Sequence, residues 1–292
     1  MIAAKNTSKR RVERPKIRHM ATLWTLTGYG GPGGEWSLAQ KLRRIKAAGF
    51  DGFLGRTPPV GSEEVEDAGL IFAATVDIGS IPVIRPRLNA AKAAGARCVN
   101  VQLLDHDTSM KRSVQVARRV MDAAGELEMD VAIEIHRDTC TETPEKAYGL
   151  AGEFERLEHR LLKMTFDFSH PAVIKHLSPP FWPRLAERED LIQYAQQFHF
   201  RPFNGHHAQI PALGRGGRLT PEFLDWLEFA EKVIACWLSA AGPGREMFVC
   251  PEQGSLGYTL SVFGDRWKDA QAIRREVDRV WKRQLRRWKA PV

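Results

Sequence analysis

The chain has 292 residues, 43% of them apolar and 27% charged, with a formal net charge of +8. That length permits two ordinary domains or one barrel-sized domain, and this composition excludes a disordered or low-complexity chain. The longest apolar stretch, Leu70 to Ile84, is interrupted by Asp77 and Pro82, so no segment can span a bilayer and no membrane partner is expected.

The charge is unevenly placed. Seven Lys or Arg stand against Glu13 alone in residues 1–18, and ten against four acids from Asp265 onward, so each end carries +6 and the stretch between them −4. Basicity confined to the ends reads as a solvated arm over residues 1–18, where Lys9, Arg10 and Arg11 cluster, and a basic terminal helix. A mildly acidic body is a poor match to a phosphate backbone, so nucleic acid is not the expected partner. The N-terminus lacks an apolar signal segment, and Cys98, Cys140, Cys236 and Cys250 are widely spaced without a CxxC pair. Buried thiols in a reducing, cytoplasmic compartment are the expectation.

In chain order, Ala21 to Tyr29 reads as a strand followed by a glycine-rich loop, GYGGPGGE, which lacks the GK[ST] ending and the GxGxxG spacing of a phosphate cradle. Ser37 and Gln40 have capping-box spacing, and Leu38, Leu42 and Ile45 share one helical face before Gly49. Further strands are predicted over Phe50–Leu54, Leu70–Asp77, Cys98–Leu104, Asp130–Ile135, Lys163–Phe168, Gln197–Pro202 and Glu246–Pro251. Helices are predicted over Arg85–Gly95, Ser109–Leu127, from Thr143 with Pro144, over Leu191–Gln196, from Thr220 with Pro221 to Leu238, and over Trp267–Trp288. Eight short strands alternating with helices, without a linker, predict parallel βαβ units closed into a single-domain (β/α)8 TIM barrel over residues 19–292.

Such a barrel carries its active site at the C-terminal ends of its strands. Strand five ends in Glu134, strand six in Asp167, strand seven in His199 and strand eight in Glu252. Singly each has a bland account, an ion-paired acid or a hydrogen-bonded core histidine. Together they make an oxygen-rich set with one imidazole, which suits one divalent metal ion, Mn²⁺ first, with Mg²⁺, Co²⁺ or Zn²⁺ as alternatives. His136, Arg201 and the loop histidines His206 and His207 are candidates for contacts to substrate. Trp24, Trp36, Phe181, Trp182 and Tyr258 are candidates for stacking on a sugar ring, or for core.

The run VAIEIHRDT, the motif FDFSH, the strand FHFRPFN followed by IPALGRGGRLTPEFLDWL, and the terminal VCPEQG together resemble the xylose isomerase-like TIM barrels, which include sugar isomerases and epimerases and the endonuclease IV-type repair nucleases. The similarity runs from Thr22 to about Trp281 and is most specific from Asp130 onward. It implies that Glu134, Asp167, His199 and Glu252 hold one divalent metal, that Glu134 and Glu252 form the acid/base pair, and that His170 touches a substrate hydroxyl. This chain departs from the family where Arg201 is followed by Pro202 rather than an acid, and where Arg215 stands in the glycine motif.

One metal with two flanking carboxylates suits proton abstraction beside a carbonyl through an enediolate. The expected function is therefore a metal-dependent sugar or keto-sugar isomerase or epimerase acting on a small carbohydrate, with a homo-oligomer left open. A lyase cleaving keto-glycosides by β-elimination is the alternative on the same site. The nuclease reading ranks lower, because a trinuclear zinc site needs histidines on the early strands and none lies between His19 and His106.

Overall fold

The computed structural model describes residues 12–31, 34–255 and 257–291. Its centre is a parallel sheet of β1 (Lys16–Thr22), β2 (Gly52–Arg56), β3 (Ile71–Ile78), β4 (Cys98–Leu103), β5 (Val131–Glu134), β6 (Met164–Thr165), β7 (Gln197–His199) and β8 (Glu246–Cys250). The strands are bonded in the order β6-β5-β4-β3-β2-β1-β8-β7, and a parallel bridge between Phe166 and Phe198 joins the two remaining edges. The sheet is thereby closed into a (β/α)8 barrel.

Around it lie α1 (Leu38–Ala47), α2 (Ser62–Ala68), α3 (Ile84–Ala93), α4 (Met110–Glu126), α5 (Pro144–Glu158), α6 (Ser169–Ile174), α7 (Trp182–Leu185), α8 (Glu189–Tyr194), α9 (Pro221–Ala240) and α10 (Arg266–Leu285). The helix starts follow local chemistry. Ser37 and Gln40 form the predicted reciprocal cap, with Ser37 Oγ accepting from Gln40 N at 3.3 Å and Gln40 Oε1 accepting from Ser37 N at 2.9 Å. Thr143 and Thr220 each cap a helix whose first turn contains proline.

The main core lies between barrel and helices, where Phe154, Phe166, Phe198, Phe223 and Trp237 are buried. A smaller cluster of Met20, Leu54, Ala73, Cys98, Phe248 and Cys250 links β1, β2, β3, β4 and β8 across the barrel interior, which is filled by side chains rather than left as a pore. All four cysteines are buried and unpaired. No helix among the described residues is long and apolar enough to cross a membrane.

Two expectations are corrected. The first strand starts at Lys16, not Ala21, because Lys16, Ile17, Arg18 and His19 pair with Glu246 to Val249 of β8. Residues 16–18, assigned to the arm by charge, therefore belong to the barrel, while Lys9, Arg10 and Arg11 lie outside the described residues. The strand ends at Thr22, whose side chain caps a 3₁₀ turn over Leu23–Leu26 by accepting from Trp24 N at 3.3 Å. As the proline-rich stretch from Ser178 to Pro183 leads one to expect, the crossover after β6 is broken into α6, α7 and α8.

His19 points outward from β1 to α10, with Nε2 3.7 Å from Asp278 Oδ1 and its side chain 5% exposed. Burial and the nearby Arg274 lower its pKa to about 4, against the pull of Asp278 and Asp51. A folded-state value below the unfolded one means that the unfolded chain takes up the proton first, so stability present above pH 6.5 is lost as the pH falls towards 4. Urea unfolding at stepped pH should show a loss of up to roughly 3 kcal/mol over that window in the wild type. The loss should be smaller in His19→Phe, where the share from buried His170 remains, and equal pH slopes in the two proteins would remove His19 from this role.

Candidate active site

The C-terminal mouth of the barrel opens into a cavity of about 630 Å³. On its floor Glu134, at the end of β5, is buried. Its Oε2 accepts from Asn100 Nδ2 at 2.6 Å and from Gln102 Nε2 at 3.1 Å, both amides projecting from β4. That leaves Oε1 facing His199 Nδ1 at 2.7 Å. Asp167 follows β6, and its Oδ1 accepts from the backbone N of Ser169 at 3.0 Å and from Ser169 Oγ at 2.6 Å, which fixes the carboxylate at the first turn of α6. Its other oxygen, Oδ2, lies 3.3 Å from His170 Nε2 and 3.2 Å from Arg201 Nη2. Glu252 follows β8, and its Oε2 accepts from Arg201 Nη2 at 2.7 Å and lies 3.6 Å from His199 Nδ1.

The electrostatics follow from these pairings. Burial by itself would raise the Glu134 carboxyl, but His199 and His136 hold it down at about 2. Asp167 is likewise lowered, against burial, by Arg201 and His170. Burial would lower His199, yet Glu134 and Glu252 lift it to about 9. For His170 burial prevails over the attraction of Asp167, and its pKa is lowered.

The residues present fit a metal ion. Ligand atoms of Glu134, Asp167 and His199 lie within 4.8 Å of one another. Asp167 Oδ2 and His199 Nδ1 are buried and held only by ion pairs, the first to His170 and Arg201 and the second to Glu134 and Glu252, and both point at the same small space. Three carboxylates against the Arg201 guanidinium leave two negative charges, the charge that one divalent cation would balance with His199 unprotonated. The donor set is hard and oxygen-rich. A second His and acid group, His106, Asp138 and Glu142, is mostly exposed, and Lys146 Nζ already pairs with Glu142 at 2.6 Å.

Glu134, His136, His199 and Glu252 all line the cavity. The other residues expected to contact substrate are placed differently. His170 is buried behind His136, with ring centroids 4.2 Å apart, and Arg201 is buried beneath the floor, bonded to the acids rather than open to a ligand. His206 is exposed in the loop after β7, where its backbone N–H donates to Asn204 Oδ1 and its ring lies near His176, so it does not line the cavity. Trp24 and Tyr258 do line the wall, edge to face at 5.2 Å. Trp36 instead packs on Tyr29, while Phe181 and Trp182 border a separate groove along α9.

Sequence reading missed the supports. Asn100 and Gln102 were visible as polar interruptions in an otherwise apolar strand, and a buried amide in such a strand is a sign that it holds something. Arg56, Lys41 and Arg137 also line the mouth; nothing in their spacing marked Arg56 and Lys41, whereas Arg137 follows His136 in the run VAIEIHRDT.

No family model and no curated protein sequence matches the chain. Among solved structures the barrel is similar to a xylose isomerase-like TIM barrel protein from Mycobacterium smegmatis in complex with magnesium, with TM-score 0.60, 15% identity, and 94% of this chain and 98% of that one covered. A D-tagatose 3-epimerase-like protein gives TM-score 0.58 at 13% identity over 91% of this chain and 99% of that one. The probable 3-DHS dehydratase from Bacillus anthracis gives 0.56 at 16% identity over 89% and 97%. The chain has the xylose isomerase-like TIM-barrel fold. In this xylose isomerase-like barrel the four polar strand ends lie side by side because β5, β6, β7 and β8 are consecutive staves, joined in part through the Phe166 to Phe198 bridge.

The wall residue Trp24 depends on a missing side chain. A Cβ at Gly254 would lie 2.3 Å from Trp24 Cη2. Gly254→Ala should shift the indole out of the cavity wall, change the near-ultraviolet circular dichroism, and cost about 1–3 kcal/mol in urea unfolding. An unchanged spectrum and midpoint would show that the ring is not wedged against that backbone.

Proposed function

We propose that this protein is a divalent-metal-dependent isomerase or epimerase of a sugar or keto-sugar that works by proton abstraction next to a carbonyl. The observation that carries the proposal is the pair of carboxylates on the cavity floor, Glu134 and Glu252, which approach His199 Nδ1 at 2.7 and 3.6 Å and are served by different partners. Glu134 is held by two amides and Glu252 by one guanidinium, so each acid is anchored through one oxygen. Two fixed carboxylates beside one substrate position are what removal of a proton and its return to a neighbouring carbon or the opposite face require.

Glu134, Asp167 and His199, with Glu252 beside them, would hold the cation, which would serve when bound as a Lewis acid that acidifies the hydrogen next to the substrate carbonyl. His136 Nδ1 lies 2.6 Å from the carbonyl of Arg137, which makes Nδ1 the donor and leaves Nε2 to accept from a substrate hydroxyl. Trp24 and Tyr258 supply apolar faces for the ring. The likeness to sugar epimerase and xylose isomerase-like structures supports the same reading at the level of fold.

A lyase acting by β-elimination is the second reading, favoured by the likeness to a probable dehydratase, since such an elimination begins with the same proton removal. The nuclease reading is weaker. His19 on β1 faces Asp278 rather than the cavity, and β2, β3 and β4 present Gly55, Arg56, Thr75, Asn100 and Gln102 there, with no histidine.

Elemental analysis of Asp167→Ala should show loss of at least nine-tenths of a stoichiometric divalent metal while circular dichroism stays native; undiminished metal content would sink the metal assignment. In deuterated buffer the wild type should exchange the hydrogen adjacent to a substrate carbonyl. Glu134→Gln and Glu252→Gln should each slow that exchange 10²-fold or more, the order expected for loss of a general base. A variant that still exchanges at the wild-type rate would clear that residue of proton transfer.

A further inference from the structure

The floor and the mouth of the cavity carry opposite charge. Glu134 and Glu252 are the acids that line it among the described residues, and both lie on the floor, where Asn100, Gln102, His199 and Arg201 already answer them. The cationic side chains that line it, Lys41, Arg56 and Arg137, come from α1, the end of β2 and the loop after β5. This is not an echo of the overall charge, since the chain between its two basic ends is net negative.

The three cations differ in what they already hold. Lys41 pairs with Glu35, and Arg56 pairs with Asp77 and reaches Gln102 Oε1 at 3.4 Å; neither of those acids lines the cavity. These partners therefore stand behind the cations and orient them. Arg137 has no acid within 4.0 Å among the described residues, and its guanidinium carbon lies 5.0 Å from the centroid of the Tyr258 ring. Stacking on that face leaves the edge N–H groups of Arg137 to water or to a ligand. Sugar hydroxyls do not call for a full positive charge, whereas an oxyanion is matched by a guanidinium fork.

Resting on the sugar-isomerase reading above, we propose that the substrate carries an anionic group, a carboxylate or a phosphate, at its end remote from the acidic floor, and that Arg137 with Arg56 receives it at the mouth. The floor would then act on the carbonyl end while the rim fixes which way round the sugar enters.

The test is binding of matched neutral, uronate and phosphorylated sugars to protein stripped with EDTA, followed by ligand-observed NMR, so that neither metal nor turnover is needed. The anionic sugars should bind at least tenfold more tightly than the neutral one, and the tighter of the two identifies the group. Arg137→Gln and Arg56→Gln, both in exposed side chains, should each weaken binding of the anionic sugars severalfold more than that of the neutral one and so remove most of that preference. Equal affinity for neutral and anionic sugars, or a preference that survives in both variants, would overturn the proposal. Anion preference without proton exchange in the metal-loaded protein would fail the isomerase reading alone, and exchange on neutral sugars without any anion preference would fail this inference alone.

Discussion

Three carboxylates held out of water within reach of one another are the constraint to which the rest of this barrel answers. Removing one ionised acid from water costs several kcal/mol, and like charges at close range add to that cost. The structure meets it locally. Arg201 is buried and bonds both Asp167 and Glu252, His199 lies between Glu134 and Glu252, and Asn100 and Gln102 donate to Glu134. Asp167 Oδ2 and His199 Nδ1 are satisfied by ion pairs alone, to His170 and Arg201 and to Glu134 and Glu252.

The barrel makes this arrangement affordable in chain length. Glu134, Asp167, His199 and Glu252 are separated by some thirty to fifty residues in sequence, yet each is delivered by the same device, a short apolar strand that ends in a polar residue. Parallel pairing fixes the register, so the strand ends arrive at one level and the side chains at one mouth. Closure matters most between β6 and β7, where a single bridge from Phe166 to Phe198 carries the contact and stacked phenylalanines, 5.8 Å apart, reinforce it. The two residues that follow this bridge on either strand are Asp167 and His199, so the seam of the barrel and the candidate metal position coincide.

The position of Arg201 illustrates how a local change rearranges a site. Two residues beyond His199, it is followed by Pro202 rather than by an acid, and it brings a positive charge under the floor. Its guanidinium lies 4.7 Å from the Tyr258 ring and 5.4 Å from that of Trp24, so the same side chain that tethers the acids also backs the aromatic wall. Charge balance and wall geometry thus meet at one residue.

What the sequence by itself determined was the order of elements, the caps at Ser37, Thr143 and Thr220, and the four polar strand ends, because those depend on periodicity and short-range hydrogen bonding, which are written locally. The first strand was misplaced by five residues, since only pairing with β8 extends it back to Lys16. Only the tertiary structure decided which polar residues share the cavity. Adjacency in sequence carried His206 towards the site, but its loop turns on Asn204 and leaves it exposed, while Asn100 and Gln102 reach the floor, and Arg56 the mouth, from strands that carry no motif. The physical reason is that the direction of a side chain at a loop or strand end is set by long-range packing and charge pairing, and those terms appear only once the strands are brought side by side.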